Sequence, residues 1–212
     1  LDDVENLPFN IGDGGHNFHP AAHPGGDIVI FASDRPGGFG GADLYMVKKT
    51  DGKWSRPENM GPEINSESDE LFPTFNKQGY LYFASDGHIG YGGLDMFTAE
   101  LKTERWGDVT NMGAGINSSK DDFGIVWDPQ NSSGYFTSNR NGESGDDIYR
   151  FKRTPGLTGV LTVTVRATSL HHISIIFFEN INNASFYIGF GGDLFPEGLR
   201  LGLDGCPFRI WN

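Results

Sequence analysis

The side chains able to do chemistry in this 212-residue chain come in sets. Adjacent carboxylates stand at Asp69-Glu70, Asp121-Asp122 and Asp146-Asp147, the pairing that a general acid and base would use. His16, His19 and His23 have spacings that one face of a helix would turn into a metal site. Ser33, Ser85 and Ser138 each close a hydrophobic run where a nucleophile could be presented. The glycines of "RPGGFGGADLY" and "GHIGYGGLDMF" could cradle a phosphate.

The surrounding sequence argues against each of these chemistries. Asp69-Glu70 and Asp121-Asp122 occupy one position of a repeat, whereas a hydrolase builds one irregular constellation. Pro20, Pro24 and paired glycines oppose a helix through the histidines. In a strand, His19 and His23 share a face and His16 takes the other, so no three-His site is expected. His171-His172 alternates faces in the same way. The serines recur with the repeat and no G-x-S-x-G elbow is present. Neither glycine loop ends in Lys-Ser/Thr, and no helix follows to orient a phosphate. Calcium could use carboxylate and backbone oxygens together, but no D-x-D-x-D-G run is present.

The elements that must position these residues are set by the repeat. Asp43, Asp95 and Asp147 follow one another at 52 residues, and Phe31, Phe83 and Phe136 keep the same step within one residue. Trp54 answers to Trp106, Asn59-Met60-Gly61 to Asn111-Met112-Gly113, and Ile64-Asn65 to Ile116-Asn117. Within a unit, "ELFPTFNKQGYLYFASD" reads as two strands joined by the turn Asn76-Lys77-Gln78-Gly79. A third strand is predicted near Asp95 to Leu101, then a polar turn and a short fourth strand carrying Trp106. The loop glycines are expected to supply positive φ, with Asp43, Asp95 and Asp147 accepting loop amides at the start of the third strand. Trp54 and Trp106 are expected to pack between units. Four antiparallel strands in about 52 residues is the signature of a propeller blade.

The stretches "FASDRPGGFGGADLY" and "DGKWSRPENMGPEINSESDELFPTFN" resemble the WD-like β-propeller repeat of the TolB type, above all as found in large cell-envelope proteins of Bacteroidota. The resemblance covers about Asn17 to Arg153. It implies a binding or scaffolding module at the periplasm or outer membrane and not an enzyme. Its implied partners are envelope proteins, with peptidoglycan reached through an OmpA-type domain outside these residues. Some such proteins belong to type IX secretion and gliding machinery.

Gly 31 and 13% aromatic against 21% charged residues describe a turn-rich, strand-rich globular chain. The net charge of -12 argues against nucleic acid, which needs clustered Lys and Arg. The acidity belongs to the repeats, since residues 154–212 hold four acids and three bases. A single cysteine, Cys206, allows no internal disulfide, and no run approaches the length of a membrane-spanning helix. The expected fold is all-β: a partial β-propeller of about three four-stranded blades over 1–153, then a β-rich tail over 154–212 that could begin a β-sandwich. In that tail "LTGVLTVTVRAT" alternates as a strand and "ISIIFFENINNASFYIGFGG" as a hairpin across Asn180 to Asn183. The first eleven residues, with "ENLPFN" echoing "ENMGPEIN", read as the last strand of an earlier blade. Candidate binding residues on the loop rim are Asp34, Arg35, Asp43, Asp86, His88, Asp95, Arg140 and Asp147, with no catalytic residue, metal or cofactor expected. A glycan- or peptide-cleaving propeller enzyme and a carbohydrate- or calcium-binding module are the alternatives.

Overall fold

A computed structural model of the chain describes residues 3–9, 14–102, 105–142, 145–153, 173–175 and 188–190. Every regular element among them is a β-strand, and every pairing is antiparallel. No helix is long and apolar enough to cross a membrane among these residues. The chain divides into two compact units, Leu1–Arg153 and Thr154–Asn212.

The first unit holds three main sheets. The first contains β1 (Asn17–Ala22), β2 (Ile28–Ser33) and β3 (Asp43–Thr50), with β4 (Lys53–Trp54) and β5 (Glu58–Asn59) both pairing on β3. The second begins with β6 (Glu70–Phe75), β7 (Leu81–Ser85) and β8 (Asp95–Ala99). After β8 the chain makes a separate two-stranded ladder from β9 (Leu101–Lys102) and β10 (Arg105–Trp106), and then returns as β11 (Thr110–Asn111) to pair β8. The third sheet is β12 (Asp122–Trp127), β13 (Ser133–Ser138) and β14 (Asp147–Lys152).

Two details differ from the strands predicted by the repeat. The strand carrying Trp106 is not the fourth strand of its sheet. The strand is interrupted at Glu100, whose carbonyl accepts from Gly107 N at 2.7 Å, and the indole turns into the core with only 8% of its surface exposed. The fourth strand is the later β11. In addition, the third sheet has three strands among the described residues where four were expected.

Local chemistry explains the hairpins. Asn76 Oδ1 accepts the amides of Gln78 (3.1 Å) and Tyr80 (3.0 Å), fixing the predicted turn, and Gly79 supplies its φ of 86°. Asp128 does the same work in the third sheet, accepting from the amides of Gln130 and Ser132 and from the hydroxyls of Ser132 and Ser133. Those bonds, led by the Ser132 amide, hold its carboxyl down to about 2. Each first strand also slips register once, between Phe18 and Ala21, Leu71 and Thr74, and Phe123 and Val126. The bulged residues His19, Phe72 and Gly124 all have positive φ. His19 stacks on Phe72 at 4.0 Å, and Phe72 on Phe123 at 4.8 Å, so the bulges form a column across the three sheets.

The sheets stack face to face. Ile30, Ala32 and Leu44 of the first meet Leu81, Phe83 and Phe97 of the second, while Ala84 and Met96 of the second meet Ile125 and Phe136 of the third. Each of the larger of these side chains, Ile, Leu, Met or Phe, contributes about 1.5–3 kcal/mol. The far face of the first sheet, Phe31, Tyr45 and Val47, is covered by Phe9, whose ring stacks on Phe31 at 5.7 Å. Residues 3–9, read from sequence as an earlier strand, contain no strand here. The second unit contributes β15 (Ile173–Ile175) and β16 (Ile188–Phe190), which pair antiparallel. The strand predicted over 157–168, the Asn180 to Asn183 turn, His171-His172 and Cys206 lie outside the described residues.

Candidate functional site

At the end of each sheet where the second strand gives way to the third, side chains and loop backbone form a repeated network. Asp43 is 1% exposed and accepts Phe39 N at 2.6 Å, Gly40 N at 3.2 Å and Asn59 Nδ2 at 2.7 Å. Asp95, equally buried, accepts Tyr91 N at 2.6 Å and Gly92 N at 3.0 Å. The sequence reading of these carboxylates as loop anchors therefore holds at both positions. Asn59 Nδ2 has a counterpart in Asn111 Nδ2, but that atom and Asp95 Oδ1 lack partners among the described residues.

The glycines around these anchors do something different from what was expected. Among the glycines of the two loops only Gly37 has a positive φ. Elsewhere the requirement is close approach: a Cβ on Gly40 would run into the backbone of Glu67 and Ser68, and one on Gly92 into the backbone of Ser119 and Lys120. The loop of one sheet is thus pressed against the chain entering the next. Gly41 N donates to Ser68 O at 3.0 Å, and Asp69 Oδ1 accepts Ala42 N at 2.7 Å.

Two asparagines that follow the isoleucines of the repeat complete the brace. Asn65 Oδ1 accepts Leu44 N at 2.8 Å, and its Nδ2 donates to Leu44 O at 3.0 Å and to Asn59 Oδ1 at 2.8 Å. Asn117 treats Met96 and Asn111 identically, at 2.8, 2.9 and 2.9 Å. Each asparagine replaces a missing strand neighbour while its isoleucine fills the gap between sheets. No role for these asparagines was expected from the repeat. Their signal was there in the recurrence of a polar residue directly after a buried apolar one.

The carboxylate pairs are split by the strand. Asp69 serves the preceding loop, whereas Glu70 is fully buried and accepts Ser66 N (2.8 Å), Ser66 Oγ (2.6 Å) and Ser85 Oγ (2.7 Å). Burial pushes the Glu70 carboxyl up, and the serine hydrogen bonds oppose that shift. Asp122 likewise accepts Ser118 N and Oγ, at 2.6 and 2.8 Å, and meets Arg140 Nη2 at 2.6 Å. Arg140 also donates to the Ile116 carbonyl and, through Nε, to Ser138 Oγ at 2.9 Å, with its guanidinium over Phe136 and Tyr149. His88 takes the equivalent place in the second sheet, its Nε2 2.8 Å from the Ile64 carbonyl. In the first, Arg35 donates to Asn17 Oδ1 at 2.6 Å and to Ser33 Oγ at 3.1 Å.

The other rim residues are placed as follows. Asp34 accepts His16 N at 2.6 Å and faces His16 Nδ1 at 2.9 Å, and these bonds, the backbone one foremost, lower its pKa. Asp86 accepts Asp69 N at 2.9 Å. Asp147 opens β14 opposite Ser138, as Asp43 and Asp95 stand opposite Ser33 and Ser85. The histidines go separate ways: His16 to Asp34, His19 to Phe72, and His23 to the β1–β2 turn, where its Nδ1 accepts Gly25 N at 3.0 Å. The bulge at His19 and the turn at His23 replace the shared strand face predicted for them. Burial lowers the His19 pKa. No group of three His, Cys, Asp or Glu side chains converges as a metal site among the described residues. A shallow pocket of about 200 Å³ beside β8 includes Glu100 and Asp108 in its lining, neither of which belongs to the network.

Three large apolar side chains also face outward at this end, among exposed polar ones such as Asp34 and Asp86. Phe39 and Tyr91, at equivalent loop positions, are about half exposed, and Ile89 is almost wholly so. Their loops are fixed from within by Asp43 and Asp95. No protein-family model matches the chain, and no curated protein matches it.

Proposed function

We propose that the chain is a non-catalytic interaction module, a segment of TolB-type β-propeller of about three blades that presents its loop rim to another protein of the bacterial cell envelope. The observation that carries this reading is the use made of the repeated polar residues. Asp43, Asp95, Asn65, Asn117, Glu70 and Asp122 are buried, and their hydrogen bonds run to the chain's own amides, carbonyls and hydroxyls. A catalytic carboxylate needs a face open to substrate. These residues instead hold rigid loops that carry Phe39, Ile89 and Tyr91 outward, and exposed aromatic side chains on a fixed frame suit protein recognition. A periplasmic or outer-membrane location follows from the TolB resemblance.

The test is site-specific photo-crosslinking in intact cells with a photoreactive residue at position 39 or 91. Crosslinks to one defined envelope protein, absent when the probe is at exposed Lys53, are expected. Purified chain is also expected to leave peptidoglycan fragments and peptides uncleaved. Cleavage abolished by Asp43→Asn or Glu70→Gln would support the enzymatic alternative instead.

A further inference from the structure

The exposed charges of the first unit are divided between its two ends. At the end of the hairpin turns, where the second strands begin and the third strands finish, Lys48, Lys49, Lys53, Lys77, Lys102 and Lys152 are exposed against the acids Asp27, Asp51 and Glu100. The loop rim reverses that balance, with Asp34, Glu67, Asp86 and Asp146 exposed against Lys120. The acidity of a chain with net charge -12 is thus offset by lysine at one end and left standing at the other.

Two of the rim acids adjoin the exposed apolar side chains. Gly40, next to Phe39, lies so close to the backbone of Glu67 and Ser68 that a Cβ there would overlap it. On the other side Gly87 lies against the side chains of Ser66 and Ser68, and Asp86 Oδ1 accepts Asp69 N at 2.9 Å. Glu67 therefore stands between the loop that carries Phe39 and the loop that runs from Asp86 through Ile89 to Tyr91. The rings of Phe39 and Tyr91 are 49% and 54% exposed, and Ile89 is 97% exposed.

Recurrence separates two of these residues from the brace. At the step of 52 residues Phe39 answers to Tyr91, but Ile89 falls where the first loop has Gly37, and Glu67 where the next sheet's entry has Ser119. The bonds that fix the loops run through Asp43, Asp95, Asn65 and Asn117 and use neither side chain. An isoleucine left in water on a fixed loop adds nothing to the core, but it offers apolar area to a partner.

We infer that the rim takes a basic, amphipathic segment of its partner protein, in which lysine or arginine side chains stand next to apolar ones. The apolar side chains of that segment cover Ile89 and the rings of Phe39 and Tyr91, whose faces also attract cations, while Glu67 and Asp86 face its charges. The inference rests on the loop-rim reading and specifies the chemistry of the partner.

The test is an NMR titration of the purified, isotope-labelled chain with a short blocked peptide of alternating arginine and leucine, up to about 1 mM, where even a millimolar complex is well populated. Expected are shifts confined to the amides of Phe39, Ile89, Tyr91 and their neighbours, and none from a peptide with glutamate in place of arginine. Glu67→Lys and Ile89→Ser change exposed side chains, keep the wild-type spectrum elsewhere, and each weaken binding about fivefold. Asp27→Lys makes the same charge change at the far end of β2, beyond the roughly 10 Å reach of a charge in 0.1 M salt, and leaves binding unchanged. No shifts with the basic peptide, shifts spread over the whole surface, an equal response to the glutamate peptide, or rim shifts produced instead by soluble peptidoglycan fragments would overturn the proposal. Crosslinks from positions 39 and 91 test the loop-rim reading separately, because they capture a partner of any charge.

Discussion

The second and third sheets begin with the same brace built from different chemistry. Glu70 and Asp122 both stand first in their sheets, both are fully buried, and each accepts the amide and hydroxyl of the serine four residues earlier. In the third sheet Arg140 then joins Asp122 and the Ile116 carbonyl in one group. In the second, His88 reaches the Ile64 carbonyl, while Ser85 supplies the third hydrogen bond to Glu70. What repeats is therefore the set of atoms to be satisfied: a buried carboxylate, a strand-end serine and an isoleucine carbonyl. Charge pairing is one of two ways to satisfy it. Position, not charge, is the invariant, which is how a structural brace differs from a site tuned for catalysis.

The largest expected effect breaks the third-sheet version. Arg140→Ala leaves the Asp122 carboxylate buried without its cation, and should cost about 3 kcal/mol by urea unfolding. That is the low end for a broken buried pair because the guanidinium is 24% exposed. His88→Ala, at the equivalent place, removes one hydrogen bond and ring contacts with Phe83 and Phe97, for roughly 1–2 kcal/mol. Equal losses for the two would mean that the ion pair adds nothing beyond the carbonyl contact.

A finer comparison sets the first sheet against the second. Asp43→Ala loses a bond to Asn59 that Asp95 does not make to Asn111, so it should cost about 1 kcal/mol more than Asp95→Ala. Thermal melts of the two variants would check the order.

The smallest effect is a slope. Because burial raises the folded-state pKa of Glu70 above 4.5, its contribution is fully present below pH 4.5 and is lost as pH rises through the folded value. Glu70→Gln should flatten the stability profile over that window. Urea midpoints measured from pH 4 to 7 would reveal an unchanged slope if Glu70 is not the group responsible.

How much of this the sequence disclosed follows from what repeats visibly. The Asn76 turn, the strand-start aspartates and the hairpins could be read directly, because turn chemistry and alternation are local. The role of the loop glycines was misjudged because close approach to Ser68 or Lys120 is a contact between loops far apart in sequence. The fourth strand was misplaced for a related reason. Trp106 has the apolar look of a strand residue, but the core takes it, while Thr110 and Asn111 look like turn residues and yet pair with β8. The bulge at His19 and Phe72 left no trace, since nothing in "FHPA" or "LFPT" forces a positive φ on a residue with a side chain. The rim candidates were read as loop residues available for binding, with the strand-start aspartates expected to accept loop amides. Arg140 and His88 turn inward because the isoleucine carbonyls beside them would otherwise lack partners.

The central claim is that the repeated carboxylates are braces committed to the chain's own backbone, and amide hydrogen exchange at Phe39 and Tyr91 tests it most directly. Both residues sit on exposed loops, where an unengaged amide exchanges at nearly the rate of an unfolded chain. Bonded to Asp43 and Asp95 at 2.6 Å, both amides are expected to be protected about as strongly as those of the adjoining third strands, with protection lost in Asp43→Ala and Asp95→Ala respectively. Free exchange at both positions in the wild-type chain would contradict the claim and return Asp43 and Asp95 to the pool of groups available to a ligand or a reaction.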